Sequence, residues 1–536
     1  MKNKTETFCQ NDKQQINQLL TINSKKKMKN LFLTGLLGLG VFCSCSNEDD
    51  PANYGKLNEG EAYAQIMISV ASSSTTGTRT TTSGSTGDDI AASASENNIQ
   101  SITVVLADEN DIAQQVITPV LKTEIDAEKE IRATEPFTVN AGKYKVYVLA
   151  NYEQNKNNLS PVIVGSTDMK QTFTITGSLS NENAFFMTNA DEINEATDFT
   201  KNAQDTEVND DGKPETDNPE TLHLVKANIE RVVSKVTFDN TDNQELSVKD
   251  GPTEIAKATL NGVSLINLNK KMYLTKKKVS VAATNPWTNY FYVEDPNYNN
   301  TTDLENNFAQ AKASEFSNPS AAAFYCPENT MAAAAQLNGQ TTGVVYKVTY
   351  TPDTNNGYSV LIQNGTDIYS QKFTAVLALG THNADITENM FKDKLEAGPA
   401  AGSFYEYKGF IFKNKNAAYL YCAIDKNLSA EASAINSAFE GYLTKAPADV
   451  HLYEAGVCYY TAWIKHNPQG AQMEAGKYGT VRNHWYELRV TGINALGHYE
   501  PTYKDPKDPD DPAKATIQVQ ATVKKWVLVK QDVTLE

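Results

Sequence analysis

Between Ala62 and Ala71 the chain alternates, with Ala62, Ala64, Ile66, Ile68 and Val70 on one side and Tyr63, Gln65, Met67 and Ser69 on the other. That period predicts a half-buried strand. Ser72 to Asn98 is then almost all Ser, Thr, Gly, Ala and Asp, with Arg79 its one basic residue. Such a stretch has little to bury and predicts a loop open to proteases. Strand-like runs follow: IQSITVVLAD, PFTVNAGKYKVYVLAN, AFFMTN and VKANIERVVSKVTFDN, separated by turn-forming Asn, Asp and Gly. An acidic excursion from Asp191 to Thr221 reads as a solvated surface loop. Around Asn240 to Lys249 the composition turns polar and a second set begins: KATLNGVSLINL, KKMYLT, TGVVYKVTYTP, FYEYKGFIFKN, AAYLYCAI, AGVCYYTAWIKHN and HWYELRVTGI. Short strands between turns, without regular helices, predict an all-β sandwich or barrel architecture. Helix is predicted only locally, as at Ala430 to Leu443.

The two ends have designs of their own. Gly497 to Pro512 (GHYEPTYKDPKDPDDP) is a Pro-Asp linker, predicted extended and stiff because proline fixes φ and like charges repel. One isolated strand follows, with Ile517, Val519, Ala521 and Val523 alternating with Gln518, Gln520, Thr522 and Lys524. Lys524 and Lys525 break the alternation, so a bulge or change of face is expected before Trp526 and Val527. The linker is read as carrying this strand away from HWYELRVTGI, for insertion into a neighbour; a strand completing its own sandwich is the competing reading. At the front, Lys25, Lys26, Lys27 and Lys29 precede the apolar run LFLTGLLGLGVF and then Cys43, Ser44 and Cys45. A basic patch, a short apolar core and a small residue before Cys form a secretory signal with lipoprotein cleavage, which places the lipid on Cys45. The run is too short to span a bilayer, which takes about 20 residues. Met28 is a more natural start than Met1. Ser46 to Gly60 is an acidic, solvated tether.

Composition narrows the function. Hydrophobic residues make up 40% and charged residues 21%, with 26 Tyr and 19 Phe, which suits globular β structure. A net charge of -17 without a Lys/Arg cluster in the body argues against nucleic-acid partners. No phosphate loop, dinucleotide fingerprint, nucleophile elbow or Cys-x-x-Cys pair occurs, so no enzyme is expected. His223, His382, His451, His466, His484 and His498 are scattered without metal-ligand spacing, and no metal or cofactor is expected. Of the cysteines beyond Cys45, Cys422 and Cys458 are the candidates for one disulfide; three buried thiols, with Cys326, are the alternative. Trp287, Trp463, Trp485 and Trp526 raise a sugar-stacking platform, although aromatics in sandwiches more often form core.

Several pieces resemble a known family: FCSCS, PFTV with KVYVLAN, KKMYL, YEYKGFIFKNKNAA, YEAGVCYYTAWI, VRNHWYELRVTGI and the closing strand with Trp526, while FYCPENT looks like a Tyr-x-x-Glu-Asn-Thr signature. Together they resemble the fimbrillins of type V pili, closest to the major (shaft) subunits of the short, minor fimbria. The resemblance implies two tandem transthyretin-like β-sandwich domains, exported as an outer-membrane lipoprotein. It implies residues 1–44 as extension and signal peptide, 45–79 as lipid tether and removable first strand, 80–240 and 241–500 as the two sandwiches, and 501–536 as linker and donor strand. By position, Arg79 and Thr80 match the cleavage site of an Arg-specific protease, which detaches the lipid and Ala62, Ala64, Ile66, Ile68 and Val70 together. The emptied groove then takes the donor strand of the next subunit (Ile517, Val519, Ala521, Val523, Trp526, Val527). The implied partners are identical subunits in a homopolymer, accessory tip and anchor proteins, the protease, and outer-membrane lipid before maturation. A tip or anchor subunit of the same pilus, or a monomeric glycan-binding surface lipoprotein, are the alternative roles.

Overall fold

The computed structural model describes residues 60–70, 90–122, 131–199, 222–239, 245–279, 292–302, 304–309, 315–319, 323–354, 361–364, 367–370, 376–377, 401–427, 432–501, 505–511 and 517–527. Strands dominate these segments. In chain order the first sheet takes β1 (Glu61–Val70), β2 (Ile102–Ala107), β3 (Ala113–Ile117), β4 (Ile131–Ala133), β5 (Phe137–Asn140), β6 (Gly142–Ala150), β7 (Met187–Asn189), β8 (Thr197–Phe199) and β9 (Leu222–Arg231). These nine are ordered β3-β2-β6-β7-β9-β1-β4, with β8 on β6 and β5 on β1. The strand-like runs of Val, Ile, Leu and aromatics fold as strands, and all six side chains of ITVVLA in β2 are buried. Ile102, Val104, Val105, Leu106 and Ala107 join Tyr147, Val148, Leu149, Phe173, Phe186 and Ile229 in the first core.

The run VKANIERVVSKVTFDN is two strands, because at Val232 the chain leaves the first sheet for the second. It continues as β10 (Val233–Phe238), then β11 (Glu245–Asp250), β12 (Thr253–Ile266), β13 (Ala323–Pro327), β14 (Gly343–Pro352), β15 (Val457–Trp463), β16 (His484–Ile493) and β17 (Ile517–Val527). A five-stranded sheet, ordered Ile90–Ala91, β17, β16, β10, β13, faces a four-stranded sheet, ordered β11-β12-β14-β15. Between them Val236, Leu260, Val263, Val344, Tyr346, Cys458, Tyr460, Tyr486, Leu488 and Ile517 form the second core. No transmembrane-length apolar helix occurs among the described residues.

Three readings change. The run AAYLYCAI is part of an α-helix, Lys415–Lys426, and not a strand. Its start is fixed by Asn414, whose side chain accepts bonds from the backbone N–H groups of Asn416 and Ala417. It packs on a second helix, Ala432–Thr444, and both cover the hairpin Phe404–Tyr407/Phe410–Phe412. The turn residues Lys408 and Gly409 both have positive φ (48° and 85°), the two-residue hairpin geometry that Gly favours. The polar stretch up to Asn98 is also not all loop, since Ala94–Asn97 form a helical turn with Glu96 buried. Finally, Cys326, Cys422 and Cys458 are all free and buried, so no disulfide joins Cys422 to Cys458.

Candidate functional site

The first strand has neighbours on both sides. β1 runs parallel to β9, from Tyr63 opposite Leu222 to Val70 opposite Ile229. On its other edge it is antiparallel to β5 (Glu61 to Ala64) and β4 (Met67 to Ser69). Ala62, Ala64, Ile66 and Ile68 are buried in the first core. The half-buried reading is too modest, because Tyr63, Gln65 and Met67 on the opposite face are buried as well. Met67 packs on Ala133 and Leu224. Gln65 Nε2 donates to the Thr134 carbonyl (2.9 Å), and Thr134 Oγ1 accepts from Ile66 N (3.1 Å) while its own N–H bonds the Ile66 carbonyl (2.9 Å). Near the end of the strand Ser69 Oγ donates to Asn228 Oδ1 (2.6 Å). Cys45, Arg79 and Thr80 lie outside the described residues.

The last strand lies on its own chain. β17 pairs antiparallel with β16, from Ile517 opposite Ile493 to Lys525 opposite His484. The reading that the linker carries it away from HWYELRVTGI is therefore corrected. The linker is pinned, not extended: Asn338 N bonds the Asp508 carbonyl, Asp510 N bonds the Gln336 carbonyl, and Lys477 Nζ sits 2.9 Å from Asp511 Oδ1. Lys477 pairs with Asp511, and burial pushes the neighbouring Asp510 carboxyl up to about 8, so these two carboxylates do not repel as free charges would. The register irregularity falls between Val490 and Gly492, not at Lys524–Lys525, which continue the ladder. Ile517 is buried and Val519 and Ala521 are partly buried on the second core. For Val523, Trp526 and Val527 the structure places the backbone, opposite Tyr486, Ile90 and Ala91 respectively.

A third feature escaped the sequence reading, although its pieces were singled out. Arg482, from VRNHW, is fully buried and forks onto Glu328, from CPENT, with Nε to Oε2 and Nη2 to Oε1 both at 3.1 Å. Its remaining donors reach the carbonyls of Leu274 and Tyr273, from KKMYL, at 3.0 and 2.8 Å. Asn329 Nδ2 binds the Gln340 carbonyl and Thr342 Oγ1, and Thr330 N donates to Asp295 Oδ2. Beside them Lys276 Nζ stands 2.6 Å from Glu230 Oε2. Burial pushes the Glu230 carboxyl up to about 7, against the pull of Lys276 and Arg482. Arg231, the last residue of β9, is also fully buried and donates to Asn483 Oδ1 (2.9 Å) and to the Glu96 carbonyl (3.0 Å). Burial raises Glu96, but bonds from Lys235, Tyr325 and Ser93 outweigh it and hold the carboxyl at about 2. Strongly held buried charges thus tie β9, Ala94–Asn97, β13 and the approach to β16 into one polar junction. The described tryptophans do not form one platform: Trp485 packs at the first core and Trp463 against Met331, Ala335 and Tyr478.

Several solved structures are similar over most of their length. A putative cell adhesion protein from Parabacteroides distasonis ATCC 8503 is 11% identical with a TM-score of 0.39, covering 88% of this chain and 99% of its own. A fimbrilin from Porphyromonas gingivalis W83 is 15% identical (TM-score 0.36; 88% and 99%), and the tip fimbrial protein Mfa3 from Porphyromonas gingivalis is 11% identical (TM-score 0.31; 87% and 100%). No curated protein matches. Residues 451–532, which hold β15, β16 and all of β17, match the family model described as major fimbrial subunit protein type IV, fimbrillin, C-terminal. Through this C-terminal region, residues 451–532, the chain is similar to the fimbrillins.

Proposed function

We propose that the chain is a structural subunit of a cell-surface fimbria, built for the shaft, which polymerises by exchanging strands. In this reading it is exported as an outer-membrane lipoprotein on Cys45 and held inactive while β1 stays in place. An Arg-specific protease cuts between Arg79 and Thr80, β1 leaves with the lipid, and the last strand of the next copy fills its place; tip and anchor proteins cap the polymer.

The observation that carries this reading is the position of β1 inside the sheet, with β9 on one side and β4 and β5 on the other. Loss of an edge strand exposes one row of backbone groups; loss of an interior strand exposes two, facing each other across an apolar slot. The donor fits the same scheme. Among the described residues, β17 has one long partner, β16, and on its other side a short pairing with Ile90 and Ala91.

The test is surface material run unboiled and boiled, with N-terminal sequencing of the assembled protein. A high-mass ladder whose subunits begin at or near Thr80 is expected, and Cys45→Ala should abolish acyl labelling and surface display together. Polymer whose subunits retain residues 45–79 would overturn the reading.

A further inference from the structure

Resting on that strand-exchange reading, we propose that the donor enters the slot in one register, fixed by two polar side chains: Gln518 replaces Gln65, and Thr522 replaces Ser69. The partner is a second copy of this chain.

The slot makes demands that hydrophobicity alone does not meet. Its direction is set by β9, parallel to the occupant, and by β4 and β5, antiparallel to it. At one fully buried position it offers the Thr134 carbonyl, and Gln65 Nε2 supplies the matching donor. Four residues on, Asn228 of β9 presents Oδ1 to the Ser69 hydroxyl. An occupant therefore needs an amide followed by a hydroxyl four positions later, with apolar residues between them on the core side.

The last strand contains that spacing once. Ile517-Gln518-Val519-Gln520-Ala521-Thr522-Val523 lies over Ala64-Gln65-Ile66-Met67-Ile68-Ser69-Val70. Val523 meets Val70, and the core-facing trio Ala64, Ile66 and Ile68 becomes Ile517, Val519 and Ala521, with the bulk moved toward the start of the slot. Lys524 and Lys525 fall beyond the last residue of β1. A shift of two residues, with Gln520 in the place of Gln65, puts Lys524 at Ser69 and Lys525 at Val70, and loses the hydroxyl. On its own chain Gln518 does neither job, since it is exposed, with Nε2 3.4 Å from Asn494 Oδ1. Its buried role arises only on exchange.

The register is read by cross-linking surface polymer assembled from the full chain. Ser69 and Asn228 are direct cross-strand neighbours, so Asn228→Cys with Thr522→Cys should give a subunit ladder that survives boiling and collapses on reduction. Asn228→Cys with Lys524→Cys should not. The native Cys326, Cys422 and Cys458 are buried and will not compete. A cross-link in the Lys524 pair instead overturns this register, and an unboiled ladder with neither cross-link shows that another segment is donated. Absence of any ladder from the unsubstituted chain defeats the strand-exchange reading itself. A second arm avoids cysteine: Gln518→Glu should cut polymer yield at least tenfold while the unassembled chain melts as before, because a carboxylate then faces the Thr134 carbonyl in the slot. Gln520→Leu, in the place of Met67, should preserve the yield, and the opposite ranking of the two overturns the register.

Discussion

Arg482 is the residue on which the polar junction depends. Its guanidinium satisfies a carboxylate from one distant chain segment and two adjacent backbone carbonyls from another, all out of water. Removing one partner of a buried pair leaves an uncompensated charge and costs about 3–5 kcal/mol. Arg482→Met should therefore lower the stability of the folded chain by about that much in denaturant titrations, and Arg482→Lys should recover only part of it, since an ammonium lacks the planar fork. A cost under about 1 kcal/mol would show that the fork does not hold the junction. Glu230 adds a pH dependence. Its folded pKa of about 7 lies above the ordinary 4.5, so its protonated form favours the fold: that contribution is complete below pH 4.5 and is lost as pH rises through 7. Glu96, held at about 2, works in the opposite sense, contributing above pH 4.5 and losing its contribution as pH falls toward 2. Glu230→Gln should flatten the decline in melting temperature between pH 5 and 8 and leave the acid limb unchanged. If the mutant and parent curves run parallel over that range, the buried carboxyl does not titrate there. None of this junction was legible as a site. Tyr273, Glu328 and Arg482 are far apart in the chain, and a buried ion pair has no period to detect, so nothing in KKMYL, CPENT or VRNHW by itself shows that these segments meet.

Single strands were legible where the alternation was strict, as in β1, or where a short apolar run was bounded by turn residues, as in ITVVLA. What the pattern of β1 could not give was its second buried face. Tyr63, Gln65 and Met67 read as the wet side because Gln and Ser break the apolar run, yet Gln65 is buried on a carbonyl supplied by Thr134. The helix at Lys415–Lys426 was missed for a related reason: Tyr419, Leu420, Tyr421 and Ile424 suit a strand by propensity, and packing on the second helix overrides it. The last strand was found in sequence but misplaced in space, because the Asp-rich linker looked repulsive until Lys477 and the backbone of residues 336–338 are seen to pair with it. That placement changes what truncation does. Deleting residues 513–536 removes the buried Ile517, worth roughly 1.5–3 kcal/mol, together with ladder bonds to β16 worth about 1 kcal/mol each. The truncated monomer should accumulate with its melting temperature lowered by several degrees and should not extend a polymer. An unchanged melting curve would contradict the pairing of β17 with β16 on its own chain.

At the scale of the molecule, β1 and β17 are connected through one continuous stretch of backbone, β9 into β10, and the strand ladders on either side of it. β9 borders the slot, passes through Val232 into β10, and β10 pairs with β16, which holds β17. Arg231 and Glu230 at the end of β9 are anchored in the buried junction beside Asn483 and Lys276. If β1 leaves, as strand exchange requires, the wall formed by β9 should resist collapse, because its far end is fixed by buried groups that would have to be stripped of their partners. An emptied slot kept open in this way should have a specific signature in backbone hydrogen exchange. In the full chain carrying β1, amides of Leu222 to Ile229 and Phe137 to Asn140 that bond to β1 should exchange slowly. After cleavage and removal of β1, protection at those amides should fall by several orders of magnitude, while the β10–β16 ladder, from Lys235 opposite Trp485 to Phe238 opposite Leu488, keeps its protection. Assembly should restore slow exchange along Leu222 to Ile229, since a donated strand re-forms the lost bonds. If removal of β1 instead deprotects the β10–β16 ladder to the same extent, the two cores unfold as one unit and the slot is not pre-formed. If assembled polymer still exchanges rapidly along Leu222 to Ile229, nothing has been donated into the place of β1.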